Sequence, residues 1–174
     1  LITMKIMSKV IKLSLFAIVA SMCFSCSDDD NTTSAPNSNN SITDIASGNA
    51  NLSILVDALI RTDLDQTLDQ SGSFTVFAPT NDAFTTFLAA NGFSSLDDVP
   101  EATLKEILLN HVLSGSFTSS SLTTGYVKTL GKGSASSTNT LSMFVDTSSG
   151  VKLNGVANVT SANITASNGV IHVV

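Results

Sequence analysis

The chain has 174 residues, 43% of them hydrophobic, which is enough for one domain with a packed core. Eight basic and fourteen acidic residues give a formal charge of -6, and Lys5, Lys9 and Lys12 all crowd the start, leaving the remainder more acidic still. So acidic a surface repels nucleic acid and anionic lipid headgroups, and with no Trp, one Tyr and no later basic run there is neither a cationic groove nor a stacking platform for a nucleic-acid strand.

Residues 1–26 run from the three lysines through an apolar stretch, Leu13 to Met22, to Cys23 and Cys26. That stretch is about half of the roughly 20 residues a bilayer crossing needs, and it suits the core of an export signal. Both cysteines lie here, so the folded part can hold neither a disulfide nor a thiolate site. The segment Met22-Cys23-Phe24-Ser25-Cys26 resembles the lipobox of bacterial lipoproteins, which implies lipid attachment at Cys26 behind the small Ser25. Ser27-Asp28-Asp29-Asp30 is similar to the acidic tag that sends lipoproteins of two-membraned bacteria to the outer face. Residues 27–40 contain almost nothing that can be buried and read as a flexible polar tether with a reach of roughly 20 Å. A spacer that holds a domain off a membrane points to a partner outside it.

From residue 41 the pattern changes. Ile45, Leu52, Leu55, Val56, Leu59 and Ile60 recur at helical spacing and predict one or two short helices. Phe74 to Ala78 alternates large apolar side chains and reads as a strand that Pro79 stops. Thr80 can cap a helix carrying Asp82 in its first turn, Phe84, Phe87 and Leu88 on its buried face, and Asn91-Gly92 at its end. A third helix starts near Pro100, with Glu101 and Lys105 spaced to pair and Leu104, Ile107, Leu108 and His111 on one face. Beyond Gly115 the composition predicts strands at Tyr126–Leu130, Leu141–Val145, Val151–Leu153, Val156–Ser161 and Val170–Val174. Helices first and strands later make the domain α+β.

His111 and His172 are the two histidines through which any metal or general-base site would have to pass. His111 sits on an apolar face, where a hydrogen-bonded core histidine is the expected state, and His172 sits mid-strand on the side of Val170 and Val174. Neither has a cysteine or a carboxylate close in sequence, so no metal and no cofactor is expected. Asp63, Asp65 and Asp69 lack the turn glycine and closing glutamate of a calcium loop and read as a solvated helix face or connector. Gly125 to Gly133 fails as a phosphate loop, because five residues separate Gly125 from Gly131 and Gly133 stands where Ser or Thr is needed. No G-x-S-x-G occurs among the serines, so no catalytic residue is assigned and the chain is not read as an enzyme.

Three stretches carry a family resemblance. Phe74-Thr75-Val76-Phe77-Ala78-Pro79-Thr80-Asn81-Asp82-Ala83-Phe84 resembles the first signature of the fasciclin (FAS1, beta-Ig-H3) domain, and Asn168-Gly169-Val170-Ile171-His172-Val173-Val174 resembles the second. Leu108 to Gly115 is similar to the family's central tyrosine-histidine segment, with Asn110 where tyrosine is commonest and His111 beside it. The resemblance spans residues 41–174. It implies a single wedge of two small β-sheets with helices packed along one edge, and an adhesion or scaffolding role that binds extracellular or surface proteins. A glycan-binding module is the alternative, for which Tyr126 is the obvious aromatic platform. Together with the lipobox it implies an exported, lipid-anchored, surface-exposed protein of the outer membrane. The two signatures carry polar groups on adjoining elements, so His172 is expected to hydrogen-bond near Thr80, Asn81 or Asp82. The family pattern also implies a further acidic residue and a short aliphatic stretch completing the closing strand after Val174.

Overall fold

The computed structural model describes residues 40–174 apart from 71 and 135, so the leader, Cys26 and the tether up to residue 39 lie outside the described residues. The first helix, α1 (Ile42–Ser47), opens on a capping box. Ser41 Oγ accepts from the Asp44 N–H at 3.1 Å while the Asp44 carboxylate accepts from the Ser41 N–H at 2.9 Å, so orphan donors of the first turn are satisfied. A 3-10 turn (Ala50–Leu52), α2 (Ser53–Arg61) and α3 (Leu64–Leu68) follow. Asp63 joins α2 to α3 in a left-handed conformation (φ 53°), and Asp63 and Asp69 are exposed, so the aspartate trio decorates a connector and a short helix.

The strand β1 (Phe74–Ala78) ends at Pro79, and α4 (Asn81–Ala90) starts at once, its Ala83 N–H donating to Thr80 Oγ1. A 3-10 turn (Leu96–Asp98) leads to α5 (Glu101–Leu109). Here the structure differs from the sequence expectation. The helix stops at Leu109, His111 lies in the turn beyond it, and an unforeseen strand β2 (Val112–Ser114) begins. Pairing of Val112 with Val76 and of Leu113 with Thr75 outweighs continued helix, because β2 completes one edge of the sheet.

The remaining strands are β3 (Gly125–Lys128), β4 (Ser142–Asp146), β5 (Lys152–Leu153), β6 (Ala157–Asn158), β7 (Ser161–Ala166) and β8 (Gly169–Val173). The single strand expected at Val156–Ser161 is two. Asn158 pairs with Lys152 in one sheet and Ser161 with Val173 in the other, so the chain crosses between sheets at Val159-Thr160.

Sheet order is β2-β1-β8-β7 in the first sheet and β3-β4-β5-β6 in the second. The β1/β8 pair is parallel, in register Phe74↔Gly169 through Ala78↔Val173, and every other pair is antiparallel. Alternation along β1 and β8 divides the core. Val76, Ala78, Ile171 and Val173 face the helices with Leu52, Leu55, Leu59, Leu104 and Leu108. Phe77 and Leu113 face the second sheet, packing with Leu122, Met143, Val145 and Leu153. The fold is thus α+β, a wedge of two four-stranded sheets with the helices on one side of the first.

Candidate functional site

The turn from β1 into α4 faces the end of α5, and between them lies an apolar socket. Pro79 lines it from the turn after β1, Ala83, Phe84 and Phe87 from α4, and Ile107, Leu108 and His111 from α5 and the turn beyond. These residues come together because Phe84 and Phe87 are spaced three apart on one helix face and Pro79 fixes where that helix begins. The cavity holds about 150 Å³, comparable to an engineered protein cavity that accepts a benzene ring, and it opens to solvent.

One polar group borders this socket. His111 Nδ1 lies 2.7 Å from the Ile107 carbonyl, which can only accept, so Nδ1 carries the proton and Nε2 is the ring's acceptor. Burial holds the imidazole below its usual range, against the smaller opposing effect of that hydrogen bond. A neutral ring in an apolar wall is the result. Its neighbour Asn110 accepts from Thr129 Oγ1 at 3.0 Å, and its N–H donates to the Glu106 carbonyl, which ends α5. The socket can therefore bind one apolar side chain with a single hydrogen-bond acceptor beside it.

His172 is fully buried and does not reach Thr80, Asn81 or Asp82. Its Nε2 donates to the Phe117 carbonyl at 2.8 Å, its Nδ1 accepts the Asn163 N–H at 3.3 Å, and the ring stacks on Phe77 with centroids 5.5 Å apart. The cause is the strand period. His172 shares its sheet face with Phe77, toward the second sheet, whereas Asn81 stands on the helix side. Phe117 and Asn163 carry no sequence signal for this role, since both lie in irregular or bulged backbone.

The other signature residues hold the two layers together. Asn81 Oδ1 accepts the Ile54 N–H at 3.0 Å, and its Nδ2 donates to the Ala50 carbonyl at 2.9 Å and to Ser53 Oγ at 3.0 Å, tying α4 to the start of α2. Asn168 accepts the Ile42 N–H at 2.9 Å and donates to the Leu68 carbonyl, tying α1 and α3 to the β7–β8 turn. Thr75 Oγ1 donates to the Gly115 carbonyl and accepts the Phe117 N–H, at 2.7 and 2.8 Å. Phe74, Val76, Ala78, Ile171 and Val173 pack in the helix-side core, and Val170 is buried. Only Asp82 is exposed, in the first turn of α4, where its charge meets the positive end of the helix dipole.

Among the described residues no group of three His, Cys, Asp or Glu side chains could hold a metal ion, and no helix is long and apolar enough to cross a membrane. The described chain resembles known proteins over most of its length. The protein sll1483 of Synechocystis sp. is 41% identical over 133 residues, which cover 76% of this chain and 69% of that protein. The protein sll1735 of the same organism is 32% identical over 133 residues, covering 76% of this chain and 92% of that one. Among solved structures, a FAS1 domain pair from the insect cell adhesion molecule Fasciclin I superposes with a TM-score of 0.60 at 16% identity, over 77% of this chain and 49% of that one. The chain thus spans about half of that domain pair, and the likeness concerns the fold. The fasciclin domain model matches residues 50–174, from the 3-10 turn before α2 to the last valine, and the chain belongs to the fasciclin domain family.

Proposed function

We propose that this is an adhesion or scaffolding module that binds an extracellular or surface protein, presented outside the cell by a lipid on Cys26 and the polar tether of residues 27–40. The fasciclin domain is an adhesion-type domain, typically extracellular or at the cell surface. The observation that carries the reading here is the socket of Pro79, Ala83, Phe84, Phe87, Ile107, Leu108 and His111, an open apolar hollow with room for one side chain of a partner. Interfaces gain most of their affinity from a few anchors seated in such hollows. The buried polar side chains of the signatures, Thr75 and His172, are spent on internal hydrogen bonds, which favours binding over catalysis. The tether places the module within reach of a neighbouring surface, where multivalent display would strengthen weak single contacts. Protease treatment of the target surface tests the reading. Beads bearing the chain are expected to bind untreated cells and to lose that binding after the target's surface proteins are shaved. Undiminished binding to shaved cells would refute a protein partner.

A further inference from the structure

The second sheet carries a feature that the socket does not use. Tyr126 on β3 and Phe144 on β4 are directly paired across the strands, rings 5.2 Å apart and tilted by 57°. Their strand neighbours Val127, Met143 and Val145 point into the core, so both rings stand on the outer face. Tyr126 is 78% exposed, against 3% for Met143 one position along β4 from its partner. A tyrosine ring held out from the sheet and braced against a second ring offers a rigid contact surface with little rotamer freedom left to lose.

The groups around it are mostly donors. Lys128 stands two residues along β3 on the same face, and Lys152 is on β5 of the same outer face, opposite Asp146. Asn154 Oδ1 accepts the Phe144 N–H at 2.9 Å, which leaves its amide NH2 with no protein acceptor among the described residues. Asp146, the one carboxylate here, accepts the Ser148 N–H at 2.9 Å and is held below its usual range by it.

Charge is divided unevenly along the domain. Residues 41–110 hold ten acids and the bases Arg61 and Lys105, whereas residues 111–174 hold Asp146 alone against Lys128, Lys132 and Lys152. On the Tyr126 face itself Lys128 and Lys152 stand against Asp146, so a net acidic domain carries a local excess of one positive charge there. Because exposed charges are screened beyond about 8 Å at physiological ionic strength, a ligand at this face meets Lys128, Lys152 and Asp146 rather than the acids on the helices beyond the first sheet.

We propose that the Tyr126–Phe144 face is a second binding site, for an acidic polysaccharide whose sugars carry carboxylates. The ring of Tyr126 covers the apolar face of one pyranose, Lys128 and Lys152 pair with its carboxylates, and the Asn154 amide donates to a hydroxyl or carboxylate oxygen. An exposed ring flanked by lysines on one sheet face suits stacking on a sugar ring with its carboxylates paired alongside. This site is built from elements other than those of the His111 socket, so it goes beyond the protein-binding reading and stands or falls separately.

Affinity electrophoresis of the intact chain and its variants in gels containing alginate, with dextran gels as the neutral control, tests the proposal. The wild-type chain is expected to be retarded by alginate and not by dextran, with retardation falling as salt is raised. Tyr126→Ala and Lys128→Gln, both at exposed positions, are each expected to weaken alginate binding at least about tenfold with unchanged melting temperature. Absence of retardation, equal retardation in dextran, or retention by both variants would overturn it. Loss of capture of a cell-surface protein by Tyr126→Ala, without alginate binding by the wild type, would also overturn it by making this face a protein contact. Adhesion to unshaved cells in the absence of alginate binding would reject this site while leaving the socket's role intact.

Discussion

Gly169 packs so closely on Phe74 that a Cβ at that position would lie 2.0 Å from the Phe74 carbonyl oxygen. The parallel pairing of β1 with β8 begins at this contact, so the second signature glycine sets the register on which both core layers depend. Gly169→Ala is expected to cost about 3 kcal/mol or more, because the clash is with backbone and cannot be relieved by a rotamer change. Urea denaturation measures it, and a loss below about 1 kcal/mol would show that β8 can shift without penalty.

His172 joins the Phe117 loop to the bulge of β7 through the two nitrogens of one buried ring. His172→Phe keeps the stack on Phe77 and the ring volume but strands the Phe117 carbonyl and the Asn163 N–H. A loss of about 1–3 kcal/mol is expected. Hydrogen exchange should show faster opening at Asn163 in this variant, and unchanged protection there would contradict the assignment.

Glu106 links the end of α5 to the loop before β4, accepting the N–H groups of Lys132 and Gly133 at 2.8 and 2.7 Å. These bonds, the Gly133 one foremost, hold its carboxyl below the usual range, and the Ser41 N–H does the same for Asp44. In the unfolded chain both return to ordinary values. Their contribution is therefore complete above the ordinary carboxylate range and is lost as pH falls through the lower folded values. The urea midpoint should fall between about pH 6 and about pH 3, and Glu106→Gln should lower it at neutral pH while flattening that fall. An equally steep profile in the variant would reject the role of Glu106.

Cys26→Ala is expected to release the chain from membranes. On the proposed lipid anchor, the acyl chains on this cysteine hold the chain to the membrane, and the substitution removes them. Fractionation of cells expressing the variant measures this. Retention in the membrane pellet would contradict anchoring at Cys26.

Local chemistry made much of the fold legible. Pro79, Thr80 and Asn91-Gly92 mark the limits of α4, and Phe74 to Ala78 declares β1 by its alternation and composition. What depends on distant pairing was not legible. β2 exists because Val112 finds Val76, and the break between β6 and β7 because Ser161 finds Val173 across the sheets. The partners of His172 escaped for the same reason. Phe117 and Asn163 are brought to it by loops, and nothing in their own neighbourhoods marks them. The two walls of the socket were visible separately, Phe84 and Phe87 on one helix face and Ile107, Leu108 and His111 on another, but that they meet depends on how α4 and α5 pack, which local sequence does not state.

If a partner seats a side chain in the socket, filling the socket from within should abolish attachment. Ala83 lines it from α4 and is half-buried, so Ala83→Phe should occupy the hollow without disturbing the core. Cells displaying the wild-type chain and the variant at equal density would be compared for attachment to a surface coated with proteins from neighbouring cells. The variant is expected to keep its melting temperature and to lose at least about tenfold in attachment, as loss of an anchor contact worth more than about 1.4 kcal/mol would produce. Equal attachment by a stably folded Ala83→Phe chain would contradict it.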